Sequence, residues 1–336
     1  MILNIFLLGL GIALLIVGGN WFVSSAIDFG KKTKMPSIIV GATILSIATT
    51  LPELLVSTIS AANGSFGLSI GNAAGSVICN TALIAGLSMA FMPTIIKEKD
   101  NPAKYAILIA STVILFLFAV SFNGNYVITW YESLILLAIF TLFMTLNIVE
   151  AKNTTKQLKI EQLKKKKKQI QEDDAKNLKW WKIILFFILG AGGVAGGAIL
   201  TVNNAEAIAR AMGISDTFIG LTIAAIGTSL PELTSTIISI KKKNSEIGYG
   251  NIIGANILNI TLVAGLSGVI SGATGLVVSS LTFAVSLPFV VAISLIFLIP
   301  IMAKKRTYRW QGILLLSLYF CYMTYLIVAT INGLAV

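Results

Sequence analysis

The stretch Gly41-Ala-Thr-Ile-Leu-Ser-Ile-Ala-Thr-Thr-Leu-Pro-Glu-Leu54 returns as Gly220-Leu-Thr-Ile-Ala-Ala-Ile-Gly-Thr-Ser-Leu-Pro-Glu-Leu233, with nine of the fourteen positions identical. Each copy buries one carboxylate, Glu53 or Glu232, in a segment otherwise apolar enough to cross a bilayer. An acidic residue at the centre of such a helix costs roughly 2.5 to 3.5 kcal/mol. Carrying that cost twice points to a cation bound between the two copies.

The rest of the chain fits a membrane setting. Of its 336 residues, 56% are hydrophobic and 12% charged, with a mean hydropathy of +0.89, outside the range of a soluble domain. Spanning requires about 20 apolar residues. Apolar runs of that order lie near residues 2–24, 37–62, 68–92, 103–122, 126–149, 180–206, 216–240, 247–271, 276–302 and 310–331. The expectation is an all-α polytopic membrane protein of ten transmembrane helices. No basic residue precedes the first run, which argues against a cleaved signal peptide.

The net charge of +11 is distributed by topology and not as a nucleic-acid surface. Basic clusters follow every odd-numbered run: Lys31, Lys32 and Lys34; Lys97, Lys99 and Lys104; the Lys-rich stretch 151–179; Lys241 to Lys243; and Lys304 to Arg309. The other connections carry only Arg210. By the positive-inside rule the central loop is cytoplasmic and both termini face out, in a multi-pass protein of the cell membrane. Histidine is absent, which excludes imidazole ligands and relays, and neither Cys79 nor Cys321 implies a disulfide.

The internal likeness continues without a gap at a constant offset of 179 residues, pairing 41–88 with 220–267. Gly71-Asn72 to Asn80 matches Gly250-Asn251 to Asn259, and Gly86-Leu-Ser88 matches Gly265-Leu-Ser267. Residues 1–150 and 180–336 then form two repeats of five helices each. An odd number of helices forces the copies to enter the membrane from opposite sides, the inverted topology of secondary transporters. Such an arrangement brings both carboxylates to one site near the midplane.

In a continuous helix, Thr49 and Thr50 share a face with Glu53, as Thr228 and Ser229 do with Glu232. Pro52 and Pro231 lack an N–H and so release the carbonyls of Ala48 and Gly227, with Ser46 and Ala225 in the same turns. The spacing of Asn72, Ser76 and Asn80 makes a polar stripe that Asn251 and Asn259 repeat, with Ala255 interrupting it. The glycines at 71, 75, 250 and 254 let helices approach closely. Carboxylates, hydroxyls, amides and carbonyls suit hard cations, and calcium tolerates an irregular oxygen cage better than magnesium. An unoccupied site of two ionised carboxylates is costly to move across the membrane, which favours exchange of cations over a leak. One divalent ion, several monovalent ions or protons could each supply the balancing charge. A cation channel is the competing class, although nothing repeats as a filter ring. No nucleophile and base pair suggests an enzyme.

At these residues the chain resembles the cation/calcium exchanger superfamily, in particular its sodium/calcium exchanger branch. The resemblance implies that Glu53, Glu232, Thr49 and Thr228 hold calcium. It implies that the carbonyls of Ser46 and Ala225, aided by Thr50, Ser76, Asn80, Ser229 and Asn259, hold sodium. It also implies a sliding pair of helices 1 and 6, no cofactor beyond the transported calcium and sodium, and a chain able to work as a monomer in the lipid bilayer. Departures accompany it. Ala255 stands where the family usually has serine, and Asn259 where potassium-dependent and some microbial members have aspartate. Ala48 and Thr50 replace the more usual glycine and serine. A calcium/proton antiporter is the alternative, although the glutamate that branch places after its Gly-Asn-Ala is missing.

Overall fold

The computed structural model describes residues 1–95, 102–120, 126–164, 179–212 and 225–331. It is almost wholly helical. In the first half α1 is Ile2–Thr33, α2 is Ser37–Thr49, α3 is Leu51–Ala62, α4 is Phe66–Phe91, α5 is Ala103–Ala119 and α6 is Trp130–Lys164. In the second half α7 is Trp180–Ala211, α8 is Ala225–Thr228, α9 is Leu230–Lys241, α10 is Ser245–Ile270, α11 is Thr282–Lys304 and α12 is Arg309–Ile331.

Among the described residues seven helices are long and apolar enough to cross a membrane, and eight if the bent pair α2 and α3 makes one span. The expected run 37–62 is that pair, broken at Thr50 with a bend of 46°. The expected run 216–240 is described only from Ala225, and its fragments α8 and α9 break at the matching residue, Ser229. Two runs start later than their hydropathy suggests. Val127–Ile128 and Leu276–Val277 form a two-stranded antiparallel ribbon ahead of α6 and α11, in the register Val127 to Val277 and Ile128 to Leu276. Helix α6 continues to Lys164, so the first part of the Lys-rich stretch is helical; residues 165–178 lie outside the described residues.

Glycines set the packing. Helices α1 and α7 lie against each other along their length, and a Cβ on Gly18 would come within 2.8 Å of the Gly193 carbonyl carbon, one on Gly197 within 2.8 Å of Leu15 N. Their outer faces expose Ile5, Phe6, Ile16, Ile184, Ile188 and Ile199, the surface expected against lipid. The main core lies elsewhere, between α2, α4, α5, α10, α11 and α12, around Ile38, Ile78, Leu108, Tyr249, Ile253 and Phe297.

The halves are also clasped at both ends of α5. At one end Thr94 and Thr307 exchange two hydrogen bonds, Thr94 N to Thr307 Oγ1 at 2.8 Å and Thr307 N to Thr94 O at 2.9 Å. At the other the ribbon is extended by Val278 N to Tyr126 O at 2.8 Å, and Tyr126 stacks on Phe283 with ring centroids 4.1 Å apart.

Candidate functional site

The breaks at Thr50 and Ser229 position the carboxylates. Each is followed by a fresh helix carrying its Pro in the first turn, where a missing N–H costs nothing, and Glu53 and Glu232 sit in those same first turns. A helix N-terminus presents unpaired N–H groups and a positive partial charge, which favours an anion there. The sequence expectation of one continuous helical face from Thr49 to Glu53 is therefore corrected: the chain turns between them. Proline starts the second helix here instead of bending a single one.

Both carboxylates are fully buried, and they lie close enough to repel each other. Cross-packing brings them together. The segment Asn259–Val263 of the second half packs on α3, which carries Glu53, while Cys79–Ala85 of the first half packs on α9, which carries Glu232. Both segments are π-helical, at matching places in the two halves, and Asn80 and Asn259 lie in them. A π-turn widens the helix by one residue and interrupts its regular register, so the stripe of Asn72, Ser76 and Asn80 does not continue as a straight line. A further π-segment, Gly41–Leu45, precedes Ser46. Hydropathy gives no sign of these wide turns.

Hydrogen bonding divides the polar residues into two sets. One set is satisfied within the protein. Asn72 donates to the Glu53 carbonyl at 3.3 Å and to Ser57 Oγ at 2.9 Å, and Ser57 donates to the Ser69 carbonyl at 3.1 Å. In the second half Asn251 donates to Ser235 Oγ at 2.9 Å, and Ser235 donates to the Glu232 carbonyl at 3.0 Å. Thr49 donates across the halves to Asn251 Oδ1 at 3.2 Å. These amides and serines hold the backbone of each carboxylate-bearing turn.

In the other set the buried side-chain oxygens and nitrogens have no hydrogen-bond partner within the protein. It contains both carboxylates of Glu53 and Glu232, the hydroxyls of Thr50, Ser76 and Ser229, and the amides of Asn80 and Asn259. Seven of the eleven residues expected from the sequence thus carry unpaired polar atoms in the interior. Buried polar atoms are nearly always paired, so these unpaired groups, two of them carboxylates, are the candidates for holding a cation. Of the remaining four, Thr49 is buried beside the Glu232 carboxylate and Thr228 is half-buried. The Ser46 carbonyl already accepts the Thr50 N–H at 2.9 Å and lies 3.3 Å from the Thr49 hydroxyl. Ala225 begins the described part of its helix.

Sequence reasoning missed Ser57, Ser235 and Asn256. Asn256 is fully buried and donates to Thr81 Oγ1 at 2.7 Å, joining the helices next to Asn80 and Ala255. Its signal in the sequence is a second amide within the stripe, off the four-residue spacing. Among the described residues no group of three or more histidine, cysteine, aspartate or glutamate side chains is gathered. The donor set is two carboxylates with neutral oxygens, and Cys79 and Cys321 are free thiols.

Comparison with known proteins agrees with this geometry. The family model described as sodium/calcium exchanger protein matches residues 3–149 and 182–328. The sodium/calcium exchanger MaX1 of Methanosarcina acetivorans is 30% identical over 348 residues, covering 96% of this chain and 98% of that protein. An uncharacterized membrane protein of Methanocaldococcus jannaschii, MJ0091, is 32% identical over 314 residues, covering 92% and 93%. The solved structure of the sodium-calcium exchanger NCX_Mj soaked with zero Na+ and Ca2+ superposes with a TM-score of 0.79 at 29% identity, covering 97% of this chain and 99% of that one. With two matched repeats, two buried carboxylates and a family match in both halves, this chain belongs to the sodium/calcium exchanger protein family.

Proposed function

We propose that this chain is a secondary active antiporter that exchanges calcium for sodium by alternating access, through one site built on Glu53 and Glu232. The observation that carries the reading is the pair of fully buried carboxylates, one from each half, amid hydroxyls and amides without partners in the protein. Two ionised carboxylates balance one calcium ion directly. Sodium, with less charge per ion, needs more than one ion and more neutral oxygens for the same balance.

The finer architecture in this reading is ten membrane crossings in two inverted five-helix repeats, residues 1–150 and 180–336. Support comes from the paired helix breaks, the paired π-segments and the reciprocal packing of each on the other half's carboxylate helix. The placement of lysine and arginine supports a cytoplasmic central stretch and outward termini. Both carboxylates come from one chain, so a single copy suffices for the site. Helices α1 and α7 meet through glycines, and this supports their moving as a unit against the clasped core.

The test is calcium uptake into proteoliposomes. Uptake should rise with an outward sodium gradient at fixed pH. Uptake indifferent to sodium but driven by a pH gradient would overturn sodium coupling in favour of protons. Flux that needs no counter-ion would overturn exchange altogether.

A further inference from the structure

The pair of α1 and α7 is symmetric in itself and asymmetric in where it sits. The offset of 179 residues that relates the two halves matches Gly11 with Gly190, Leu15 with Val194, Gly18 with Gly197 and Gly19 with Ala198. Close contacts within the pair come as mirror images. A Cβ on Gly11 would meet Thr201 N at 2.8 Å and the Gly197 carbonyl at 3.0 Å, and one on Gly190 would meet the matched atoms, Phe22 N and the Gly18 carbonyl. Likewise a Cβ on Gly18 would lie 2.9 Å from Val194 N, and one on Gly197 2.8 Å from Leu15 N. Exchanging the roles of the two halves leaves this interface as it is.

Contacts of the pair with the carboxylate-bearing helices are not mirrored. Helix α1 packs on α9, where a Cβ on Gly19 would come within 2.5 Å of Ile238 Cδ1 and 2.6 Å of Thr234 Cγ2. Val202 of α7 fills the place that a Cβ on Gly227 would need, and Leu230 packs on Leu15, Val194 and Ala198. The matched flank of α3 is bare. Leu51, Leu55 and Ile59 follow one another at four-residue spacing on one apolar face. All three are exposed, and Ile59 is 57% exposed where its counterpart Ile238 is 7%.

Inverted halves can exchange roles, so that what one half does on one side of the membrane the other does on the opposite side. We propose that the bare flank of α3 is a second seat for the same pair, with Ala198 of α7 against Leu55 and Ile59, and that two alanines make it the shallower seat. At both matched points the second seat carries a Cβ that the first lacks: Ala198 in place of Gly19, and Ala48 in place of Gly227, with Val23 taking the part of Val202. Leu55 is also bulkier than Thr234. Extra volume at contacts this close forces helices apart, so the seat on α9 is favoured. Helix α9 runs into Lys241 to Lys243, and α3 into the uncharged turn 63–65. In the orientation proposed above, the favoured state is therefore covered on the cytoplasmic side and bare on the outer side. Ala48 and Ala198 are then positioning residues, which set the balance between the two states.

A second seat rests on the alternating access proposed above, and flux through the wild-type protein tests that separately: flux that needs no counter-ion would overturn alternating access itself. The seats are read by disulfide trapping in membranes, in a Cys321→Ser background whose remaining native thiol, Cys79, is buried. Gly19→Cys/Ile238→Cys reports the seat on α9, and Ala198→Cys/Ile59→Cys the seat on α3. Both pairs should cross-link with an oxidant and stop calcium uptake, and a reductant should restore it. Adding Ala48→Gly, which makes room for Val23, should speed cross-linking of the α3 pair by about tenfold. Gly227→Ala, which displaces Val202, should speed the α3 pair and slow the α9 pair. Ala48→Gly adds no bulk, so it gives a reading even if Gly227→Ala fails to fold. An α3 pair that does not cross-link, in a protein that takes up calcium and cross-links at α9, would overturn the second seat. A rate at the α3 pair unchanged by Ala48→Gly would overturn the bias.

Discussion

The Thr49 hydroxyl donates to the Asn251 side-chain oxygen across 202 residues of chain, at 3.2 Å. The Asn251 amide nitrogen in turn donates to Ser235, and Ser235 to the Glu232 carbonyl. One relay thus ties a threonine of the first half to the backbone of the carboxylate turn in the second. Direction matters in such a relay. A threonine that has given up its proton is left with lone pairs to offer, and Thr49 lies beside the buried Glu232 carboxylate.

Replacing Asn251 with leucine removes the acceptor from Thr49 and the donor from Ser235 together. Thr49 is left with only the Ser46 carbonyl at 3.3 Å, and Ser235 keeps its bond to the Glu232 carbonyl but loses the N–H it accepts, at a cost of about 1 to 3 kcal/mol in all. We expect Asn251→Leu to weaken apparent calcium affinity by about tenfold or more in uptake assays, and to lower thermal stability. Asn251→Gln should recover part of the affinity. A variant with wild-type calcium dependence would show that the relay does not position the site.

Glu53 and Glu232 are fully buried carboxyl groups with no hydrogen-bond partner in the protein, so replacing either with its amide removes a possible negative charge while keeping the shape of the site. Glu53→Gln or Glu232→Gln should reduce calcium exchange to near background. Insertion and helicity should be retained, because an isosteric amide relieves the repulsion between the carboxylates. Calcium-dependent thermal stabilisation reads the same point: wild type should gain stability with calcium by mass action, and each variant should lose that gain.

How much of the site is legible in the sequence depends on what each residue's role requires. Glu53 and Glu232 stand out because a carboxylate is costly in apolar sequence, and a cost carried at two matched positions needs a bound cation to offset it. Pro52 and Pro231 mark the right turns but not what happens there: a proline within a helix and a proline starting one look alike until the break at Thr50 is seen. The π-segments at Cys79–Ala85 and Asn259–Val263 are invisible, since one extra residue in a turn leaves no mark on hydropathy. Ser57, Ser235 and Asn256 escape notice for a related reason. A serine or asparagine in an apolar run signals nothing by itself, and only the crossing helix identifies its partner. The strands ahead of α6 and α11 read as helix because their valine and isoleucine are equally apolar in either state.

The clasp at Thr94 and Thr307 is remote from the carboxylates in sequence and should separate stability from transport. Thr307→Val removes the acceptor of the Thr94 N–H while keeping the volume of the side chain. Loss of that hydrogen bond should cost about 1 kcal/mol or more of stability. We expect a lower melting temperature with sodium and calcium affinities unchanged. A large shift in either affinity would mean that this end of the core moves during exchange.

The crossing of α2 and α10 gives the sharpest packing test. At Gly254 an added Cβ would come within 2.5 Å of the Ala42 carbonyl, and backbone cannot rotate aside as a side chain can. Gly254→Ala must push the helices apart, carrying Ser46 and Thr49 away from α10. Overpacking of this kind costs about 1 to 3 kcal/mol. Gly9, on α1, has nothing within 4 Å, so Gly9→Ala should be neutral or gain up to about 1 kcal/mol from helix propensity alone. The expected outcome is a destabilised Gly254→Ala protein with impaired calcium uptake beside a fully active Gly9→Ala protein. Equal behaviour of the two would mean that close approach at this crossing does not build the site.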